Sequence, residues 1–511
     1  MKKVWKRLLT VVVVVAIVAT SVFITGRQDS DAVAVTAKNV KAAASVERAP
    51  KYVFLFIGDG MSYPQIQAAS YYLGAVSQSS GTTILKGGKD LSFMEFPVSG
   101  SATTFDSSSF CPDSSSSATS IATGHKTYSA VVNMDETKTI SYETISEKLK
   151  KQLGYKIGII SSVNINHATP AAFYAHQVSR NNYYGIGKEM VTSGFDYFAG
   201  GALKEPTGAK KDQTSIYDLA KEAGYHVITT EKVAEALTQK DGKSIIIGET
   251  LADSDSLSYE KDRKDSEWAL ADYVKKGIEV LTNDTGFFMM VEGGKIDWAG
   301  HANDAGSSIS DTVALSDAVK EAVAFYDKHP QETLILVTGD HETGGLTIGY
   351  AGTNYDTYLK NLQNQKISYA KFDADYVAGY KKNNTPFSEV LVDIKNNFGL
   401  MTSEDKDAAQ NEKLVLTDYE LSLLKNAYTK TMLSTGEQLT QGEYILYSSY
   451  EPLTVTITHL LNNKSGISFS SYSHTGLPVG VFAKGVGQDM FVGYYDNTDI
   501  YNNLAGLLNV K

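Results

Sequence analysis

Hydrophobic runs of strand length alternate along the chain with segments that carry apolar residues at helical spacing. A run that is apolar on both faces is typical of a buried parallel strand, because helices cover both sides of such a sheet. The alternation therefore predicts an α/β fold with a mainly parallel central sheet. The strand-like runs are residues 52–57, 156–162, 285–291 and 333–338, and the helix-like stretches are residues 259–281 and 304–326.

The pattern changes between residues 351 and 450. This segment is rich in Asn, Lys and Tyr, and it shows helical periodicity near residues 388–398 and 419–424. It lacks the combination of a strand followed by an acidic residue that marks the rest of the chain. We predict that it is an insertion folded as a small subdomain, and that the core resumes at Gly466 and includes a strand at residues 479–483.

The first residues have the layout of a bacterial export signal. Four cations within the first seven residues precede a mostly apolar run at residues 11–24. This run is long for a cleaved signal and short for a bilayer span of roughly 20 residues. We predict export, with residues 1–27 as a signal or an N-terminal membrane anchor and residues 28–50 as a flexible tether.

The net charge and the cysteine count of the chain limit which molecules it can bind and how it can be stabilised. The chain has 511 residues, a formal net charge of -11 and a single cysteine, Cys111. An acidic body binds nucleic acid poorly, so an anionic substrate must be held by local cations or metals. One cysteine excludes an intrachain disulfide, so we expect stability to come from the core, bound metals or oligomerisation.

Acidic residues and histidines follow strand after strand. Parallel strands bring their carboxyl ends to one edge of the sheet, so these side chains are expected to converge there. Asp297 and His301 are four residues apart and share a face if the segment is helical, a spacing that suits zinc. Any one such residue is more often structural, but the repeated pattern predicts a metal site. The candidates are Asp59, Glu292, Asp297, His301, Asp340 and His341.

The remaining histidines are less informative. His474 lies at a later strand boundary, where it is either a loop residue or the third ligand of a site with Asp297 and His301. The others have no acidic residue at a useful spacing, and we interpret them as structural. They are His125, His176, His226, His329 and His459.

A serine-rich stretch after Asp113 predicts the start of a helix. An Asp or Ser side chain accepts hydrogen bonds from backbone N–H groups that have no partner at a helix N-terminus. Ser114 would then lie at the positive end of the helix dipole, where a hydroxyl can act as a nucleophile and phosphate can bind. The alternative is a solvated turn with an ordinary cap. A second helix is predicted with Thr169 as its cap and Pro170 at its first position.

Six motifs together resemble the bacterial alkaline phosphatase family, and they occur in that family's order. The resemblance implies a three-layer α/β/α sandwich with a crown-like insertion, and it makes residues 51–511 an alkaline phosphatase domain. The motifs are Gly58-Asp59-Gly60, Asp113-Ser114-Ser115-Ser116-Ser117-Ala118-Thr119, His167-Ala168-Thr169-Pro170 through Ser179-Arg180, residues 292–301, Thr338-Gly339-Asp340-His341, and His474-Thr475-Gly476.

The resemblance also implies roles for these residues. Ser114 would be the nucleophile that is transiently phosphorylated, and Arg180 would hold two phosphate oxygens. The family hydrolyses a broad range of phosphate monoesters at alkaline pH, and its members form homodimers. The implied ligands are Asp297, His301 and His474 for one zinc, Asp59, Asp340 and His341 for the second, and Glu292, Thr169 and the shared Asp59 for a third ion, usually magnesium.

Two positions depart from the best-known enterobacterial members. His167 stands where those members have aspartate, and Trp298 stands where they have lysine; other members share the histidine and the tryptophan. A histidine beside the third site favours another divalent ion there or binds it directly. Loss of the lysine removes a cation near the phosphate, so we predict weaker product binding.

Three alternative functions can be distinguished from this one by a motif, by Arg180 or by the presence of turnover. A sulfatase of the same superfamily needs a Cys or Ser followed by x-Pro-x-Arg, and Cys111-Pro112-Asp113 does not fit this pattern. A phosphodiesterase relative is expected to lack the arginine found at position 180. A non-enzymatic binder of metal or phosphate would keep the clusters without turnover.

Overall fold

The structure is a computed structural model that describes residues 49–78, 87–433 and 439–511. The predicted export segment and nearly all of the predicted tether lie outside these residues, so both stay predictions. Within the described ranges, no helix combines the length and the apolar character needed to cross a membrane.

A ten-stranded sheet forms the centre of the molecule, in the order β14-β2-β13-β8-β1-β7-β3-β4-β6-β5. Its pairings are parallel except that β13 runs antiparallel to both of its neighbours, β8 and β2. Two small ladders, β9 with β12 and β10 with β11, complete the strands. The strands are β1 Tyr52–Gly58, β2 Val98–Thr103, β3 Lys156–Asn164, β4 Tyr197–Gly201, β5 His226–Ile228, β6 Ser244–Ile247, β7 Phe287–Gly293, β8 Thr333–Gly339, β9 Glu342–Thr343, β10 Thr347–Ile348, β11 Ile467–Ser468, β12 His474–Thr475, β13 Val479–Gly485 and β14 Gly493–Asp496.

Helices pack against the sheet and around its edge. The α-helices are α1 Tyr63–Ser77, α2 Ser114–Thr123, α3 Ile145–Lys148, α4 Ala168–Ala171, α5 Tyr183–Thr192, α6 Ile216–Glu222, α7 Glu231–Glu235, α8 Leu270–Leu281, α9 Lys295–His301, α10 Ala305–Tyr326, α11 Tyr369–Phe372, α12 Ala378–Asn383, α13 Phe387–Phe398, α14 Asp418–Leu433, α15 Gln441–Tyr447, α16 Pro452–Ser465 and α17 Thr498–Leu508.

The central strands are covered on both faces. Every residue of β1, β7 and β8 is buried. On one face Phe54 packs against Phe325 of α10, with ring centroids 5.7 Å apart. On the other face Phe288 packs against Phe173, just beyond α4, at 6.2 Å. Side chains alternate between the faces of a strand, so these contacts confirm the predicted three-layer α/β/α sandwich.

Two predicted helix starts are wrong. The helix expected over residues 259–281 begins only at Leu270, because the Asp272 carboxylate accepts from the N–H of Ala269, 2.8 Å away, and caps the helix there. Upstream, Arg263 bonds the Glu260 carboxylate at 2.7 Å and stabilises a turn. The helix expected to have Thr169 as its cap and Pro170 as its first residue begins two residues earlier, at Ala168, with His167 at the cap position.

The segment predicted as an insertion is helical. The periodicity near residues 388–398 corresponds to α13 and that near 419–424 lies in α14, as expected. The described residues between 351 and 450 add no strand to the central sheet. Their apolar side chains, among them Phe372 and Phe398, join the same hydrophobic core as Phe54 under the sheet. The division into a separate subdomain stays a prediction.

Candidate active site

The site is built where three neighbouring parallel strands end. In the register of the sheet Gly58 of β1 stands opposite Gly293 of β7 and Gly339 of β8. Asp59, Asp340 and the helix α9 therefore leave the sheet at one level, as the sequence pattern predicts. The short ladder between β9 and β12 places His474 opposite Thr343, which brings the late histidine to the same edge.

Ser114 is the first residue of α2 and is buried, with 2% of its surface exposed. Asp113 caps the helix by accepting from the N–H of Ser116 at 3.0 Å, as predicted. The Ser114 hydroxyl oxygen lies 3.2 Å from His341 Nε2 and 3.4 Å from Asp59 Oδ1. The hydroxyl thus stands between a helix N-terminus, which favours anions, and a group of candidate metal ligands.

Asp297, His301 and His474 form the first cluster. The Nε2 atoms of the two histidines are 3.0 Å apart, and they lie 3.4 and 3.5 Å from Asp297 Oδ1. His301 Nδ1 lies 2.6 Å from the carbonyl oxygen of Tyr472, and His474 Nδ1 lies 2.5 Å from that of Pro112. A carbonyl only accepts, so each Nδ1 carries the hydrogen and each Nε2 has a free lone pair for a cation.

A second cluster surrounds His341. Its Nε2 lies 3.4 Å from Asp59 Oδ1 and 3.3 Å from Asp340 Oδ2. Ligand atoms of Asp59, Asp297 and His341 all lie within 4.8 Å of one another, so the Asp297 carboxylate borders both clusters. Asp340 is held in place because its Oδ1 accepts from the N–H groups of Gly60 and His341 at 3.1 and 2.9 Å.

A third group of side chains lies next to Asp59 Oδ2. The Thr169 hydroxyl donates to Asp59 Oδ2 at 3.4 Å, and Glu292 contacts both residues. The Ser161 hydroxyl donates to Glu292 Oε2. His167 Nε2 lies 3.4 Å from Arg180 Nη2, and its ring meets Trp298 edge-on at 5.9 Å; its predicted place beside the third ion stays a prediction.

Arg180 faces the start of α2. Its Nη1 donates to Asp113 Oδ2 at 2.8 Å. Although burial opposes ionisation, Arg180 holds the pKa of Asp113 well below its usual range, so the two form a charged pair. Burial and the Arg180 charge lower the pKa of His167 to about 3, which keeps this imidazole neutral.

Four buried carboxylates lie close together without an equal number of cations. Burial and repulsion from Asp340 and Asp297 raise the pKa of Asp59. Burial, with Asp297 adding, raises the pKa of Asp340 to about 7, and burial raises that of Glu292 to about 7. Such crowding favours a bound cation, which neutralises the repulsion.

The donor atoms fit metal ions. Carboxylate and imidazole groups are the usual ligands of zinc, and oxygen-rich groups suit magnesium. Glu292 Oε1 and His167 Nδ1 are buried polar atoms that have no hydrogen-bond partner among the described residues. Such atoms are costly unless a ligand or ion satisfies them.

Sequence reasoning missed several residues that orient this site. Thr343 donates to Asp297 Oδ1 at 2.5 Å and lies 3.3 Å from His341 Nδ1. Tyr472 contributes only its backbone oxygen to His301, which no side-chain pattern signals. The pairing of Asp113 with Arg180, 67 residues away, likewise becomes visible only in the fold.

Comparison with known proteins identifies the group to which this architecture belongs. A sequence model of the family described as "Alkaline phosphatase" matches residues 50–510. The chain belongs to the alkaline phosphatase family. Alkaline phosphatase 3 of Bacillus subtilis (strain 168) is 30% identical over 474 residues, which cover 90% of this chain and 90% of that protein.

Solved alkaline phosphatase structures share the fold. The cold-active alkaline phosphatase of the psychrophile Shewanella sp. has a TM-score of 0.71 and 27% identity, and the match covers 89% of this chain and 99% of that one. A histidine-to-aspartate mutant of the alkaline phosphatase from the Antarctic bacterium TAB5, with Mg bound in its M3 site, has a TM-score of 0.59 and 25% identity over 91% of this chain and 99% of that one.

These matches confirm the predicted family and class of enzyme. This alkaline phosphatase is a metal-dependent phosphoric monoester hydrolase, and phosphate monoesters are its class of substrate. The rival interpretation as a binding protein without turnover is not supported.

Proposed function

We propose that this alkaline phosphatase is an exported enzyme that hydrolyses a broad range of phosphate monoesters at alkaline pH through a phosphoserine intermediate on Ser114, releasing inorganic phosphate. The position of the Ser114 hydroxyl carries the proposal. It stands 3.2 Å from His341 Nε2 and 3.4 Å from Asp59 Oδ1, at the N-terminus of α2.

Ser114 would attack the phosphorus atom of the substrate. The helix N-terminus and the Arg180 side chain both direct positive charge toward the phosphate oxygens. Arg180 uses Nη1 for Asp113, and its remaining N–H groups are the ones we assign to two non-bridging oxygens of the phosphate. Water would then hydrolyse the phosphoserine and release phosphate.

We assign the ligands as the resemblance implies. Asp297, His301 and His474 would hold one zinc, and Asp59, Asp340 and His341 would hold the second. Bound at these places, divalent ions supply the positive charge that promotes ionisation of the serine hydroxyl and stabilises the departing alkoxide. A leaving group stabilised in this way needs few contacts of its own, which supports a broad substrate range.

The third ion would be held by Glu292, Thr169 and Asp59. We propose magnesium or another divalent ion here, because His167 is close to Arg180 and supplies a neutral imidazole in place of a carboxylate. The TAB5 enzyme, in which replacing a histidine by aspartate accompanies Mg in the M3 site, supports a link between this kind of position and the choice of metal.

We also propose where the protein is located, how it assembles and which partners it binds. The cationic and apolar N-terminal segment supports export, with either cleavage or retention as an anchor. The family resemblance supports a homodimer, which light scattering of the purified protein would detect. The acidic net charge argues against nucleic acid as a partner. We propose small phosphate monoesters as substrates, held by local cations and metals.

The decisive experiment replaces the nucleophile. Ser114→Ala is expected to lower phosphomonoester hydrolysis at least about a thousandfold while the zinc content stays the same. Ser120→Ala is the matched control, because the hydroxyl of this buried serine in the same helix bonds, among the described residues, only the backbone carbonyl of Ser116. Full activity in Ser114→Ala would contradict the proposed phosphoserine.

A second measurement tests the specificity and the metals. Metal analysis of the wild-type protein should find zinc, and activity on a phosphate monoester should greatly exceed activity on the matching diester. Comparable rates on the two esters would contradict the proposed preference for monoesters, since a diester carries less negative charge and its second ester group replaces a non-bridging oxygen in the site.

A further inference from the structure

The loop of residues 471–474 determines where two candidate ligands lie. The carbonyl oxygen of Tyr472 accepts from His301 Nδ1, with the two atoms 2.6 Å apart. The same loop ends at His474, whose Nε2 lies 3.0 Å from that of His301. A shift of this loop would therefore move His474 directly and would rotate His301, so both distances to Asp297 depend on it.

The side chain of Tyr472 attaches this loop to the predicted insertion. Its hydroxyl donates to the carbonyl oxygen of Leu446 in α15. Its ring stacks on Tyr450, which also lies in the insertion, with centroids 6.0 Å apart. One residue thus contacts a candidate metal ligand through its backbone and the insertion through its side chain.

The helix that follows the insertion holds the other end of the same loop. Asn303, two residues after His301, donates from Nδ2 to the carbonyl oxygen of Ser471 at 2.8 Å. From α16, His459 Nε2 lies 2.9 Å from Asn303 Oδ1, and Asn462 Nδ2 donates to the Asn303 carbonyl oxygen at 2.7 Å. Two helices therefore hold the loop in position: α15 through Tyr472, and α16 through Asn303.

We propose that the insertion clamps the loop of residues 471–474 and so determines how firmly the Asp297, His301 and His474 cluster retains its metal, with Tyr472 as the positioning residue. Partners that orient a ligating histidine commonly change metal affinity when they are altered. This role needs no contact between the insertion and the substrate. It rests on the proposed function only for the identity of the metal as zinc.

Tyr472→Phe in the full chain tests the clamp, since it removes the hydroxyl and keeps the ring. Loss of this bond is expected to speed the release of one zinc equivalent to a coloured chelator. The expected increase is about fivefold, which corresponds to the net free energy of one hydrogen bond. The remaining metal should leave at the wild-type rate. With excess zinc, KM and kcat should return to wild-type values.

Tyr450→Phe is the matched control. Tyr450 belongs to the same aromatic stack, and its hydroxyl has no hydrogen-bond partner in the described part of the chain. It should leave the rate of zinc release unchanged. The melting temperature of the metal-free protein should be alike in both variants, because the proposed effect acts through ligand orientation.

Two outcomes would overturn the clamp. One is an unchanged release rate in Tyr472→Phe. The other is equal acceleration in both variants together with a lower melting temperature of the metal-free protein, since that pattern indicates a general loss of packing. Wild-type protein that binds no zinc would instead contradict the proposed metal, and release of the ion that metal analysis finds would then test the clamp.

Discussion

Thr343 lies between the two histidine-containing clusters and contacts both. Its hydroxyl donates to Asp297 Oδ1 at 2.5 Å, and its oxygen lies 3.3 Å from His341 Nδ1. Since the hydroxyl has one hydrogen, it accepts from His341 Nδ1–H while it donates to the carboxylate. His341 Nε2 is then the nitrogen with a free lone pair, and it is this atom that faces Ser114.

Replacement of Thr343 tests this bridging role. Thr343→Val keeps the shape of the side chain and removes the hydroxyl, so we expect metal affinity to fall by about 10- to 100-fold. Thr343→Ser should retain most of the affinity. Thr312→Val is the control, because within the part of the chain that the structure describes its buried hydroxyl bonds only the Ser308 carbonyl. Competition with a chelator measures the affinities, and equal affinities in Val and Ser variants would contradict the bridge.

Trp298 tests the predicted weak binding of product. Its ring lies 4.5 Å from Lys295 Nζ, but that ammonium is buried and paired with Asp253 at 2.7 Å. Trp298→Lys would add a cation next to His167 and Arg180, where we propose that the phosphate binds. We expect inorganic phosphate to inhibit this variant about tenfold more strongly at low salt, with the gain reduced at high salt. Trp298→Met is the neutral control, and a similar gain in Met would show that charge is not the cause.

At the scale of elements, the strand ends could be predicted from sequence and the loops that orient them could not. Buried apolar runs locate β1, β7 and β8, and parallel pairing then brings Asp59 and Asp340 together. The first residue of a helix depends on which side chains cap it. Apolar residues at helical spacing continue upstream of α8, but the helix begins only where Asp272 accepts from the N–H of Ala269. Contacts such as Tyr472 to His301 join backbone to side chain across 171 residues, so no local pattern signals them.

Asp373 links the insertion to the helix that follows it. Its carboxylate accepts from the Thr454 hydroxyl of α16. Burial raises the pKa of Asp373 to about 7, with the nearby Glu451 adding to the effect. The folded protein therefore keeps this proton up to about neutral pH, whereas the unfolded chain releases it near its ordinary pKa of 3.8. Its contribution to stability is present below the unfolded pKa and is lost as the pH rises through the folded pKa.

Asp373→Asn removes this pH dependence. The free energy of unfolding of the variant, relative to wild type, should rise by about 1 kcal/mol between pH 6 and pH 8. Urea unfolding at both pH values gives the comparison. Asp375→Asn is the control, because that carboxylate is exposed and pairs with Lys371 on the surface at 3.0 Å. A constant difference across this pH range would contradict the assignment.

At the scale of the whole molecule, metal binding and folding are expected to be coupled. Asp59, Glu292, Asp297 and Asp340 are buried together, and the sequence has one cysteine and so no intrachain disulfide to offset their repulsion. An ion that binds only the folded state stabilises it by about 4 kcal/mol per site at a thousandfold excess over Kd. Removal of divalent ions should therefore lower the melting temperature of the whole domain.

Calorimetry of chelated and metal-replete protein measures this coupling. The melting temperature should rise with the logarithm of added zinc, and Ser114→Ala should show the same rise, because it keeps the ligands. Asp297→Asn should flatten the dependence, since the Asp297 carboxylate borders both clusters. A melting temperature that does not respond to metal would mean that the core alone stabilises the carboxylates, and that their repulsion is relieved by bound protons.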